Sequence, residues 1–229
     1  MSKIGYGYGS ECHLLRWMGR HRNAFDRAVV DTVGSGSRIE WLDFNFKSEN
    51  TWPDAELKGL EFLCDAALQS SWREFWPVGS GIHNWDTVGW LIDGDGRELL
   101  LVEAKAHVGE LRSDCKAESP DSIDKIRRAF AEVKRALGVP EERDWIKGYY
   151  QVTNRIATLY FLERQGVRSR LLFLYFVGDR RNNGCKCPKN VAEWEAALRD
   201  QERWVGLPSG HGLAGQIHKM FLPVHSPEL

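Results

Sequence analysis

NWDTVGWLIDGDGRELLLVEAK, residues 84–105, decides the reading of this chain. It predicts a β-hairpin: a strand from Asp86 to Ile92, a turn at Asp93-Gly94-Asp95-Gly96, and an apolar strand from Glu98 to Lys105. The repeated Asp-Gly favours the positive φ that tight hairpin turns require. Side chains alternate faces along a strand, so Leu99, Leu101, Glu103 and Lys105 share one side. Leu100, Val102 and Ala104 cover the other, the pattern of a central strand buried on both faces. Such a strand then ends in a carboxylate and an amine. Buried charge costs several kcal/mol unless it is paired or bound to metal. Asp86, at the mouth of the partner strand, offers a second carboxylate at the same end. Two carboxylates and a lysine converging there are the ingredients of a magnesium site with a cation beside it.

Asp86 followed by Glu103-Ala104-Lys105 at the end of the next strand resembles the PD-(D/E)xK nuclease superfamily. The resemblance covers roughly residues 54–178, and Trp85 stands where the pattern has proline. It implies an α/β fold with a restriction-endonuclease-like core, a central mixed β-sheet flanked by helices in the order α-β-β-β-α-β. Additions at 11–50 and 179–229 would complete a single domain. It also implies Mg²⁺, or Mn²⁺, held by Asp86, Glu103 and the backbone carbonyl of Ala104, with Lys105 orienting the water that attacks a DNA phosphodiester. A helix before the hairpin often supplies a further acid in this superfamily, here Glu61, with Glu56 and Asp65 as rivals. The plain alternative for Glu103 and Lys105 is a buried ion pair between neighbours.

Upstream, Glu11 to about Val30 reads as a helix interrupted near Gly19, with Arg16, Arg20, Arg22, Arg27, His13 and His21 on its polar side. That side is either a phosphate-facing patch or a solvated face. Gly34 to Ser37 is a connector, and RIEWLDFNF (38–46) an edge strand or extended arm. Trp52-Pro53-Asp54 opens a predicted helix with its stripe at Leu57, Leu60, Leu63, Cys64, Ala67 and Leu68. A short strand is expected near Phe75 to Val78. A glycine-rich loop then carries His83, read as structural, to Asp86.

Downstream, His107 continues the Glu103/Lys105 face towards substrate or metal, and Glu110 is a possible outer carboxylate. Pro120 to Leu137 is a helix bearing Arg127 and Arg128 as candidate nucleic-acid contacts. Trp145 to Gln165 is a further helix whose polar residues Gln151, Asn154 and Arg155 share one face at i, i+3 and i+4. A Q-x-x-x-Y helix near the active site occurs in the RecB-like and λ-exonuclease-like branches; here Arg155 stands in place of the tyrosine. The resemblance makes Gln151 a site residue and Arg155 a phosphate ligand, against structural hydrogen bonding for both. Leu171 to Val177 is a buried strand parallel to the second hairpin strand, Glu193 to Trp204 a helix, and Ile217 to Val224 a last extended segment. Cys185-Lys186-Cys187 lacks the second pair that a zinc site needs.

At 229 residues the chain suits one full core. Its net charge of −1 gives no global attraction to nucleic acid, so DNA contact must rest on a local patch. Five scattered cysteines, an odd number, point to a reducing compartment, and with no membrane span or signal peptide in view the expectation is cytoplasmic. Beside a purely structural role, which would leave the charged end of a buried strand unexplained, two rival readings stay open. One is a catalytically silent member of the fold that binds nucleic acid or a partner. The other is a metal-independent hydrolase using Asp86 and Glu103 as an acid/base pair.

Overall fold

A computed structural model describes residues 7–42, 57–79, 82–94, 96–181 and 184–224. In chain order the elements are α1 (Ser10–Arg20), α2 (Arg22–Val33), β1 (Arg38–Trp41), β2 (Leu57–Lys58), α3 (Ala66–Phe75), β3 (Asn84–Trp85), β4 (Thr87–Asp93) and β5 (Gly96–Lys105). There follow α4 (Pro120–Leu137), α5 (Tyr150–Arg164), β6 (Ser169–Val177), α6 (Val191–Val205) and β7 (Ile217–Pro223). The result is an α/β fold: a five-stranded mixed sheet, ordered β1-β4-β5-β6-β7, with helices on both faces.

The hairpin is β4 and β5, paired antiparallel from Thr87 opposite Val102 to Asp93 opposite Gly96. Gly94 takes the positive φ, 54°, that the tight turn demands. β5 runs parallel to β6, and β6 to β7. Strand alternation divides the core as the sequence suggests. Leu100, Val102 and Ala104 meet α1 and α2 through Leu14, Trp17, Phe25 and Val29. Leu99 and Leu101 join the opposite layer with Trp72, Phe130, Ile156 and Leu159 from α3, α4 and α5. Glu103 and Lys105 therefore emerge beneath α5.

β1 is the expected edge strand, pressed so close to β4 that a side chain at Gly89 would meet Ile39 Cγ2 at 3.0 Å. It comes from outside residues 54–178, as does β7, so the sheet recruits both flanking segments.

Three expected elements differ. Of the helix expected from Trp52, residues 51–56 lie outside the described residues; Leu57–Lys58 pairs with β3, and a helix starts only at Ala66. Gly59, at φ 45°, takes a left-handed conformation that breaks helix, and Asp65 caps α3 by accepting from the N–H groups of Ala67 and Leu68. No strand forms over Phe75–Val78, because Phe75 closes α3 and Trp76 turns into the core. The second predicted helix begins at Tyr150 rather than Trp145, since Gly148 is also left-handed, at φ 77°, and packs against Trp204. The interruption expected near Gly19 falls at His21, which splits α1 from α2. No described helix is long and apolar enough to cross a membrane.

Candidate active site

Asp86 sits on the bend between β3 and β4, and its Oδ2 accepts the Ala104 N–H at 2.6 Å. That bond ties the first carboxylate to the strand that carries the second. In a β-strand the N–H and C=O of one residue leave on the same side, so the Ala104 carbonyl also faces the Asp86 edge.

Glu103 is 2% exposed and fully engaged. Its Oε1 accepts from Gln151 Nε2 at 2.7 Å and from the Lys105 ammonium; its Oε2 accepts from Arg155 Nε at 2.7 Å. Arg155, itself 1% exposed, also donates to Asn154 Oδ1 at 2.8 Å and to the Asn84 carbonyl. Its guanidinium lies over the Trp85 ring, 4.5 Å from the centroid, and the Trp85 indole N–H is anchored on the Gly59 carbonyl at 2.8 Å. Trp85 thus roofs the arginine that pairs with Glu103.

The two carboxyls are pushed apart. Burial, and then the neighbouring Glu103 charge, raise the Asp86 carboxyl to about 7 against the opposing pull of Lys105, the Ala104 N–H and Arg155. Burial acts upward on Glu103 too, but the Arg155 and Lys105 cations and their hydrogen bonds outweigh it and hold its carboxyl below the ordinary range. Pairs of acids separated in this way mark groups with different chemical tasks. Tyr175, close by, has its hydroxyl pushed up by burial and by Glu103.

An open cleft of about 760 Å³ reaches the Asp86 side of this centre, while Glu103 and Lys105 line a separate hollow of about 10 Å³ together with Gln151 and Tyr175. Asp86, Asn84, Gln151, Asn154 and Arg155 line the cleft, with Trp76, Ile82, Ile126 and Tyr150 as its apolar part. His83 borders it too, caged edge-on against Trp72, Trp76 and Trp85, and burial and then Arg155 keep its ring well below the usual histidine range, hence neutral.

The structure thus brings Asp86, Glu103, Ala104, Lys105, Gln151 and Arg155 together. Arg155, however, meets the Glu103 carboxylate and is buried, so it is not the free phosphate ligand expected of it. Glu61 is exposed on the turn after β2 and takes no part in the network around Glu103. Asp65 is spent as the cap of α3, and Glu56 lies outside the described residues. Arg127 and Arg128 are exposed on α4 and do not line the cleft. His107 turns away to Glu110 and Arg181, at 3.2 Å from each, and Glu110 binds the Ala106 N–H. The arginines of α1 and α2 lie across the sheet. Cys185 and Cys187 form no disulfide, and no group of three or more His, Cys, Asp or Glu residues able to hold a metal occurs among the described residues.

What the sequence reading underused is Asn154 and Trp85. An Asn-Arg pair on the apolar helix α5 was the available signal, since buried polar side chains of this kind are held by partners. Comparison with protein-family models, with curated proteins and with solved structures gives no match for this chain.

Proposed function

We propose that this chain is a nuclease of PD-(D/E)xK type with a restriction-endonuclease-like core, hydrolysing DNA phosphodiester bonds with Mg²⁺ or Mn²⁺ in the cytoplasm. The observation that carries the reading is Asp86: a carboxyl on a cleft, raised to about 7, one strand from a second carboxylate and beside the Ala104 carbonyl. An acid that burial and a like charge drive towards protonation is a place where a divalent cation relieves the same excess of negative charge. The donor set fits a hard ion that also keeps waters: an Asp86 oxygen facing the open cleft, Glu103 lining the small hollow beside it, and a backbone carbonyl. When bound, the ion supplies positive charge to the phosphate and acidifies a water. The protein's own groups do the rest. Gln151 and Arg155 hold Glu103 in one orientation, and the Lys105 ammonium steadies the attacking water and the charge that grows on the phosphate.

A second reading has a specific observation behind it. Both Glu103 oxygens already carry charged or amide donors, and no three-residue metal cluster is found among the described residues. On that reading the chain is a catalytically silent member of the fold that binds nucleic acid or a partner. Incubation with plasmid and single-stranded DNA separates the two. The nuclease reading predicts cleavage that needs Mg²⁺ or Mn²⁺ and disappears in Asp86→Asn, Glu103→Gln and Lys105→Ala. DNA retained uncut at every metal concentration supports the silent reading.

A further inference from the structure

Two amides on α5 offer the cleft hydrogen-bonding groups that phosphodiester hydrolysis leaves unused. Gln151 spends its N–H on Glu103, which leaves its carbonyl oxygen as an acceptor. Asn154 spends its oxygen on Arg155 Nη1, which leaves its amide nitrogen with no partner among the described residues, although the side chain is only 3% exposed. A carboxylate can only accept and an arginine can only donate, so each amide is locked one way round. The two residues stand at i and i+3, on one face of α5, and both line the cleft. A donor held fixed on the wall of the cleft, and spent on no described residue, is open to a ligand.

The rest of the cleft narrows the class of that ligand. Its volume, about 760 Å³, lies in the range of small-molecule sites. Trp76, Ile82, Ile126 and Tyr150 give it an apolar side. Its rim carries Asp114, Lys116 and Glu118, one cation between two acids, all exposed. The N-terminus of α4 adds Pro120, which has no N–H, and then Asp121. Duplex DNA needs a track of cations for its phosphates, and this rim is not one. A planar group with donors and acceptors on its edge, joined to a phosphodiester, does suit a pocket with an apolar side and a fixed donor–acceptor pair.

We infer that the cleft seats one unstacked nucleobase, its edge read by the Asn154 amide N–H and the Gln151 carbonyl, so that the substrate enters as a single strand or chain end. The inference rests on the proposed nuclease centre for the position of the phosphate, but its test needs no cleavage. Fluorescence anisotropy of the metal-free protein compares labelled homotrinucleotides of the four bases, an abasic trinucleotide of equal charge, and a short blunt duplex. The best base-bearing trinucleotide is expected to bind about tenfold more tightly than the abasic one. Asn154→Asp keeps the acceptor for Arg155 and removes the N–H donors, so the same ratio, taken within that variant to cancel its added charge, falls towards one. Equal binding of abasic and base-bearing probes, or tighter binding of the duplex, overturns the inference. Neither result touches the metal-dependent cleavage that tests the nuclease reading.

Discussion

Asp86 and Glu103 are both carboxylic acids in one polar cluster, yet their surroundings drive them in opposite directions. Glu103 has two cations in contact; Asp86 has a backbone N–H and a like-charged neighbour. In the unfolded chain Asp86 gives up its proton near 4, whereas in the fold it keeps it to about 7. Between those values the folded state binds the extra proton, so the contribution of Asp86 to stability falls as pH rises through the window and is level above it. Glu103, held low, acts the other way, with stability lost only as pH falls below the ordinary carboxylate range. The metal-free protein should therefore lose on the order of 2 kcal/mol between pH 5 and pH 8 through Asp86. Thermal melts of wild type and Asp86→Asn check this: the variant profile should be the flatter, and parallel profiles would show that Asp86 titrates normally. Arg155 belongs to the same balance. It is large, buried and fixed by Glu103, Asn154, the Asn84 carbonyl and Trp85, a planar set of contacts that lysine does not reproduce.

Elements were legible where local sequence alone decided them. The β4–β5 hairpin follows from Asp-Gly and alternation, α4 from Ser119, Pro120 and Gly138 at its ends, and β6 from an unbroken apolar run. Glu103, Lys105 and Asp86 were legible for the same reason, since their charge conflicts with the strand that carries them. The start of α3 was not, because an apolar stripe at helical spacing lost to pairing of Leu57–Lys58 with β3 and to Gly59, whose added Cβ would collide with Ile82 Cδ1. The misplaced helix is what made Glu61 look like a site residue. Arg155 was seen, but its partner was not: only the parallel β5–β6 arrangement, with α5 between them in the chain, brings it over Glu103. Asp65 illustrates the cost of a wrong boundary. It caps α3 with bonds of 2.9 and 3.0 Å, so Asp65→Ala should lower stability by about 1 kcal/mol and leave metal affinity unchanged. Denaturant unfolding alongside a metal titration checks both, and weakened metal binding would return Asp65 to the site.

At the scale of the whole molecule, the sheet order places the candidate centre near the C-terminal end of β5, where a parallel strand pair leaves room between helices for a ligand. One face is closed by α1 and α2; the other opens into the cleft between α4, α5 and the loop after α3. A chain of net charge −1 has no general affinity for polyanions, so the proposed DNA binding would rest on the cleft and on an ion within it. Asp86 is the proposed ligand of that ion. The most direct measurement is calorimetric titration of Mn²⁺ into metal-free wild type, Asp86→Asn and Lys105→Ala at pH 8. Saturable binding to wild type is expected at millimolar or lower concentration, weakened at least about tenfold in Asp86→Asn and largely kept in Lys105→Ala. Absence of binding to wild type in that range, or equal affinity in Asp86→Asn, would contradict it.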